Sequence, residues 1–372
     1  MKKRTLSALC GGLSLALLLT ACGGNGSTSA GNNAENSSNP TQSDTTTPAA
    51  TEYQWDFQKK NAGIDDLKTP CDQQGTVVSL EYDTPAYAVN DLLGADETLH
   101  KTMKIYLPYG YDESQQYNVL YLLHGTTGEN DGPMEGFWLE QWGDYTLPVL
   151  DNMIAQGLCD PVIVVCPNYY SPVEGYTLTD EDAKALSEKL NDSYIWSETA
   201  EDGGEVDNVQ NIWPVYFGQE LRNNIIPAVE AAYSTYAGGD VSEESLIASR
   251  DHRAFAGLSR GSMTVVRAGL MSNADLFAYY GDFSGIWAEF DQFKAALEGD
   301  FKDYDIKFWY NGNGKGDFAL ENHQAFKEQV LSEMSDRFVD GENYAWVVIK
   351  DGAHMYNSWV VDLYNSLLVF FQ

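Results

Sequence analysis

The sequence predicts an α/β protein with a mostly parallel central sheet flanked by helices on both faces. Two observations carry this. Continuous apolar runs such as Val119–Leu123 and Pro161–Cys166 suit strands covered on both faces, where an alternating pattern would mark a strand with one wet side. Stretches able to form helices separate the runs, and that alternation is what parallel strands need to return to the same edge.

Taken in order, residues 77–82 form a first strand. Lys101–Leu107 alternates as a second and is closed by Pro108-Tyr109-Gly110-Tyr111. Val119–Leu123 ends at His124-Gly125-Thr126-Thr127-Gly128, and Pro161–Cys166 is stopped by Pro167-Asn168. A long insertion, 174–214, follows and is long enough to cover a site as a lid. Leu221–Tyr233 reads as a helix, Arg253–Ala256 as a short buried strand and Ser262–Leu270 as the next helix. Phe277–Gly281, Ile306–Tyr310 and Trp346–Ile349 are the remaining strands, and Tyr356–Phe371 is a closing helix. With no second linker and no internal repeat, residues 53–372 are expected to be one domain.

The N-terminus reads as a targeting segment. Lys2, Lys3 and Arg4 precede an apolar run from Thr5 to Leu19 that is too short for a membrane span. Leu19-Thr20-Ala21-Cys22 resembles a bacterial lipobox, which implies removal of residues 1–21 and lipid attachment at Cys22. From Cys22 to residue 52 the chain is mainly Gly, Ser, Thr, Asn and Ala, unable to bury enough surface to order itself, and reads as a tether. The expected location is the extracellular face of a bacterial membrane, touched through the N-terminal lipid only; the alternative is an ordinary secretory signal and a secreted protein.

The formal charge is −33, and loss of Lys2, Lys3 and Arg4 takes it to about −36. Such a surface repels nucleic acid and anionic membranes and leaves neutral or weakly charged substrates. Cys71, Cys159 and Cys166 are left in the body, an odd number without metal-ligand spacing, so they read as free or buried thiols. Neither a metal nor another cofactor is expected.

Gly257-Leu258-Ser259-Arg260-Gly261 lies between a strand and a helix. A G-x-S-x-G sequence there forms a sharp turn that holds the serine hydroxyl beyond the sheet's carboxyl edge, where ligands of open α/β sheets bind. A serine needs a base within hydrogen-bond reach and a group to orient it. Of the five histidines, His100 precedes a strand, His124 ends one before a glycine turn, His252 lies at the wrong end of its strand and His323 sits in a helix. His354, in the loop after residues 346–349, has the right edge and the right chain order. Asp317, beyond the strand 306–310 and the glycine-rich stretch 311–316, is the candidate acid, with Glu321 and Asp351 as competitors. The backbone N–H of Arg260, and that of Thr126 with Thr127 as fallback, would receive an oxyanion.

These stretches, with Tyr106–Tyr111, Leu120–Gly125, Val164–Asn168, Arg253–Ser259, Phe283-Ser284-Gly285 and Gly352-Ala353-His354, resemble the esterase D-like branch of the α/β-hydrolases. That group includes the feruloyl and acetyl-xylan esterases of carbohydrate esterase family 1. The resemblance implies an α/β-hydrolase fold, a Ser259–His354–Asp317 triad and an oxyanion hole from the Thr126 and Arg260 amides. Arg260 stands where Met or Gln is more usual, and Ser262 where Gly is common; both leave the backbone donor in place.

Aromatic residues make up 13% of the chain, and Trp138, Trp142, Trp196, Trp213 and Trp287 fall in predicted loops. Aromatic faces suit sugars and phenolic acids, although indoles also fill cores. Trp138, Trp142, Trp287 and Asn168 are the candidate substrate contacts. The expected activity is a feruloyl-type esterase acting on cell-wall polysaccharide or another phenolic ester. Acetyl-xylan or siderophore esters are alternatives, and a catalytically inactive carbohydrate-binding lipoprotein is the reading from another class.

Overall fold

The computed structural model describes residues 52–126, 133–199 and 207–372. The signal segment, Cys22, nearly all of the tether, Thr127, Gly128 and residues 200–206 of the insertion lie outside the described residues.

Eight strands form one sheet: β1 (Thr76–Pro85), β2 (Thr98–Leu107), β3 (Asn118–Leu123), β4 (Val162–Cys166), β5 (Arg253–Leu258), β6 (Tyr279–Phe283), β7 (Phe308–Gly314) and β8 (Tyr344–Ile349). Their order is β1-β2-β4-β3-β5-β6-β7-β8. β2 pairs antiparallel with β1 and β4, and all other pairs are parallel. β3, β4 and β5 are buried at every position, which is why their sequences carry no polar alternation. The pleat still sorts their side chains. Phe255 joins Tyr121, Phe277 and Trp309 on one face, whereas Ala254 and Ala256 join Leu120, Leu122 and Tyr310 on the other. Each fully buried large side chain contributes about 1.5–3 kcal/mol, so both helical layers are held by the same strands.

Four expected boundaries are corrected. β6 begins at Tyr279, not Phe277, because the Phe277 carbonyl is taken by the Arg250 guanidinium at 2.6 Å and is lost to the ladder. β7 runs past its expected end at Tyr310 and through the glycine-rich stretch to Gly314, and Asn311 to Gly314 pair with Trp346 to Ile349. The reason is a period-two alternation of unusual residues. Asn311 and Asn313 present their amides to the buried His323 on the helix Leu320–Glu333. Gly312 and Gly314 lie where a Cβ would overlap the Asp362 carboxylate or the backbone of Gly352 and Ala353. The helical run read as 221–233 starts at Ile212, so the end of the insertion already belongs to it. The closing helix is Tyr356–Leu367, shorter than expected.

The insertion is tied to the sheet's covering helices. Thr179 and Asp182 form a reciprocal cap on the helix Asp180–Leu190, and Asp192 just beyond it accepts a two-pronged, buried ion pair from Arg267. Cys71, Cys159 and Cys166 carry free thiols, the last two buried. No helix among the described residues is long and apolar enough to cross a membrane.

Candidate active site

β5 ends in a tight turn at Ser259. Ser259 has φ 54° and ψ −123°, a conformation that costs an L-residue about 1–3 kcal/mol. The helix Arg260–Thr264 starts immediately after it and widens into a π-type turn over Val265–Leu270. A Cβ on Gly257 would sit 2.7 Å from the Gly261 carbonyl group, and one on Gly261 would overlap the His124 carbonyl oxygen. Both glycines are therefore set by close backbone approach. The Ser259 amide donates to the Phe283 carbonyl at 2.8 Å, so the turn is also fastened to β6.

Three elements meet at the hydroxyl. His354, in the loop after β8, brings Nε2 within 2.9 Å of Ser259 Oγ and Nδ1 within 2.9 Å of Asp317 Oδ1. The carboxylate accepts from Nδ1–H, which leaves the Nε2 lone pair facing the serine O–H. The Asp317 side chain is fully buried. Burial pushes its pKa up. The hydrogen bond and charge of His354, the Ser284 hydroxyl and the Ala319 amide outweigh that and hold it below the ordinary carboxylate value. Glu321 and Asp351 are exposed, and Asp351 instead accepts from the Asn61 amide at 2.8 Å.

The other histidines have separate surroundings. His100 is exposed beside Asp83, and His252 stacks on Tyr236. His124 and His323 are buried, and burial pushes them down to about 4 and about 3 respectively, so both rings are neutral. The Gly285 amide donates to His323 Nδ1 at 3.1 Å, which puts its N–H on Nε2, towards Asn311. Behind the turn, Asp282 is buried with the Ser262 hydroxyl and the Trp309 indole as donors. Burial still pushes it up to about 7.

Ser259 opens on a cavity of about 240 Å³ lined by Thr126, Tyr194, Asn211, Arg260, Met263, Trp287 and Phe318. The Arg260 N–H is the first of its helix and has no partner within it. The guanidinium of Arg260 spans the opening, donating to Asn211 Oδ1 at 3.1 Å and to Thr126 Oγ1 at 2.5 Å. No group of three or more His, Cys, Asp or Glu side chains among the described residues is placed to hold a metal.

An esterase family model, Esterase, matches residues 100–369. The chain belongs to the Esterase family. The chain is 32% identical over 222 residues to endo-1,4-beta-xylanase Y of Acetivibrio thermocellus. The match covers 59% of this chain and 15% of that much longer protein. Two solved structures share the fold. A serine-to-alanine mutant of the feruloyl esterase module from Clostridium thermocellum, complexed with sinapinate, has a TM-score of 0.61 and 24% identity over 87% of this chain and 97% of that one. The CE1 ferulic acid esterase of the anaerobic fungus Anaeromyces mucronatus, in complex with ferulic acid, has a TM-score of 0.59 and 22% identity over 85% and 98%.

The esterase's tryptophans divide. Trp287 lines the cavity. Trp138 does not: it is fully buried and donates to the Leu123 carbonyl at 3.0 Å, so it supports β3. Trp142 stacks on Tyr356 at 4.4 Å, away from the cavity lining. Trp213 is buried, and Trp196 lies under Lys184. Asn168 also lies off the cavity, with its side chain against His124 and the Tyr170 amide. Sequence reasoning missed Tyr194, Asn211, Met263 and Phe318. Only Phe318 had a signal, being a large apolar residue directly after the candidate acid; it is 70% exposed.

Proposed function

We propose that this esterase is a lipid-anchored, extracellular serine carboxylesterase that cleaves feruloyl-type phenolic esters of plant cell-wall polysaccharide. The observation that carries the reading is the hydrogen-bonded run from Ser259 through His354 to Asp317, opening on a cavity walled by Trp287 and Phe318. His354 Nε2 takes the Ser259 proton as Oγ attacks the ester carbonyl. The Thr126 and Arg260 amides receive the oxyanion, and Asp317 stabilises the imidazolium. The imidazolium then protonates the departing sugar alcohol, leaving an acyl-enzyme. Water attacks that intermediate by the same route in reverse, returning the free acid and the serine.

The phenolic acyl group is supported by the two aromatic walls, and by relatives that carry feruloyl esterase names or hold sinapinate and ferulic acid. The anchor is supported by the lipobox-like Leu19–Cys22 and the tether after it. The test compares methyl ferulate with acetylated xylan, for the wild-type protein and Ser259→Ala. Turnover of ferulate by the wild type alone is expected; equal turnover by both proteins rejects Ser259, and turnover of acetyl esters only rejects the phenolic substrate. Cys22→Ala should move the protein from the membrane fraction to the medium, and an unchanged membrane fraction rejects the anchor.

A further inference from the structure

The Gly125–Thr126 peptide is gripped from its carbonyl side by groups that the reaction itself does not use. The Tyr169 hydroxyl donates to the Gly125 carbonyl oxygen at 2.6 Å. His124 Nδ1 lies 2.7 Å from the same oxygen and Nε2 lies 3.1 Å from Asn168 Oδ1; the neutral ring has one N–H, and the shorter contact places it on Nδ1, donating to Gly125. The two rings stack with centroids 4.3 Å apart and planes 12° apart, so neither donor swings without the other. A second layer backs them. Asn168 Oδ1 accepts from the Tyr170 amide at 3.0 Å and packs beside His124 Nε2, and the Asn168 carbonyl accepts from Lys101 Nζ at 2.6 Å. Lys101 is itself buried in an ion pair with Glu220 at 2.7 Å.

In a trans peptide the C=O and the following N–H point in opposite directions. A carbonyl held towards Tyr169 and His124 therefore turns the Thr126 N–H away from them. Gly125 lies against the nucleophile, since a Cβ on it would sit 3.3 Å from Ser259 Cβ. On the far side, Thr126 Oγ1 is held by Arg260. Two donors on the carbonyl also polarise the peptide, and hydrogen bonds in such a chain strengthen one another.

We infer that Tyr169 and His124 are positioning residues for the oxyanion hole, acting through the Gly125 carbonyl to aim and strengthen the Thr126 N–H. The inference rests on the serine-esterase reading above. Its signature is loss in the transition state alone. Removing a whole oxyanion donor lowers kcat by about 10²–10³. Loosening one through a second residue should lower it by about tenfold, with KM unchanged.

The test uses the full chain and methyl ferulate, with p-nitrophenyl acetate as a second ester. Tyr169→Phe removes one oxygen and keeps the stacked ring. It should lower kcat about tenfold, leave KM in place, and weaken a trifluoromethyl ketone transition-state analogue by the same factor while free ferulate binds as before. Tyr121→Phe, which removes a buried hydroxyl with no partner among the described residues, should match the wild type. Asn can place an N–H close to where His Nδ1 stood, so His124→Asn should retain more kcat than His124→Leu. That pair decides the matter if Tyr169→Phe does not fold. Wild-type kcat in folded Tyr169→Phe, equal loss in His124→Asn and His124→Leu, or parallel changes in KM and ketone and ferulate binding would each overturn the inference. A wild-type protein inert on both esters overturns the serine-esterase reading as well; an active wild type with unaffected variants overturns the inference alone.

Discussion

Gly261 sits directly against the His124 carbonyl, with no room for a methyl group between them. The contact joins the helix after Ser259 to the end of β3, so the turn and the Gly125–Thr126 peptide share one backbone junction. Gly261→Ala must push the two apart. We expect a stability loss of about 1–3 kcal/mol and a fall in kcat/KM beyond what that loss explains. Thermal unfolding and initial rates on p-nitrophenyl acetate check this; full activity in a destabilised protein would show that the junction does not aim the nucleophile.

Asp317→Asn keeps the shape beside His354 and exchanges an acceptor for a group that can donate. The imidazole is then free to take the wrong tautomer. The expected fall in kcat is about 10⁴-fold, with KM little changed. Steady-state kinetics on methyl ferulate measure it, and a fall under tenfold would exclude Asp317 as the orienting acid.

The Phe318 ring lies 4.3 Å from the His354 ring and is 70% exposed at the cavity. A large ring exposed at the cavity offers a face on which an aromatic acyl group can stack. An aromatic contact is worth about 0.5–1.5 kcal/mol beyond area burial, so Phe318→Ala should raise KM for methyl ferulate about 2- to 12-fold. KM for p-nitrophenyl acetate, whose acyl group is small, should move less. Equal shifts for both esters would remove Phe318 from acyl recognition.

Asp282 makes stability depend on pH. Its folded-state pKa, pushed up to about 7 by burial, lies above the unfolded value, so between about pH 4 and 7 the folded chain holds a proton that the unfolded chain releases. Asp282 therefore costs stability as pH rises through that window, and the cost levels off above it. Asp317 acts with the opposite sign: held low, it stabilises above the unfolded carboxylate value and loses that effect as pH falls through its folded value. Asp282→Asn should flatten the decline in denaturant midpoint between pH 5 and 8. A slope identical to wild type would assign the decline to other groups.

Much of this was legible because burial and chain order leave marks in sequence. The unbroken apolar runs at Val119–Leu123 and Val162–Cys166 marked central strands. Ser259, Asp317 and His354 could be grouped because each follows a strand end in the required order, and the chain does bring them together. Asn311–Gly314 was illegible as a strand because its residues suit loops by composition; a buried histidine and a carboxylate on opposite faces make them a strand. Trp138 and Trp287 looked alike, since a sequence does not say which way a loop indole turns. Tyr194 and Asn211 could not be placed at all. Their insertion reaches the cavity at Ser259 from a segment far away in the chain, and no local pattern records that meeting.

The buried pair of Arg267 and Asp192 gives the insertion a fixed point on the structure that carries Ser259. Tyr194, two residues beyond Asp192, is thereby anchored to the helical run that follows Ser259. The segment that lines one wall of the cavity and the helix that follows Ser259 are thus mechanically yoked. A lineage, or an engineer, trading this segment for another could alter the acceptable ester while sparing the reaction, provided the incoming segment brings its own acid to meet Arg267. Without it, a stranded buried guanidinium would unsettle the helical run that follows Ser259.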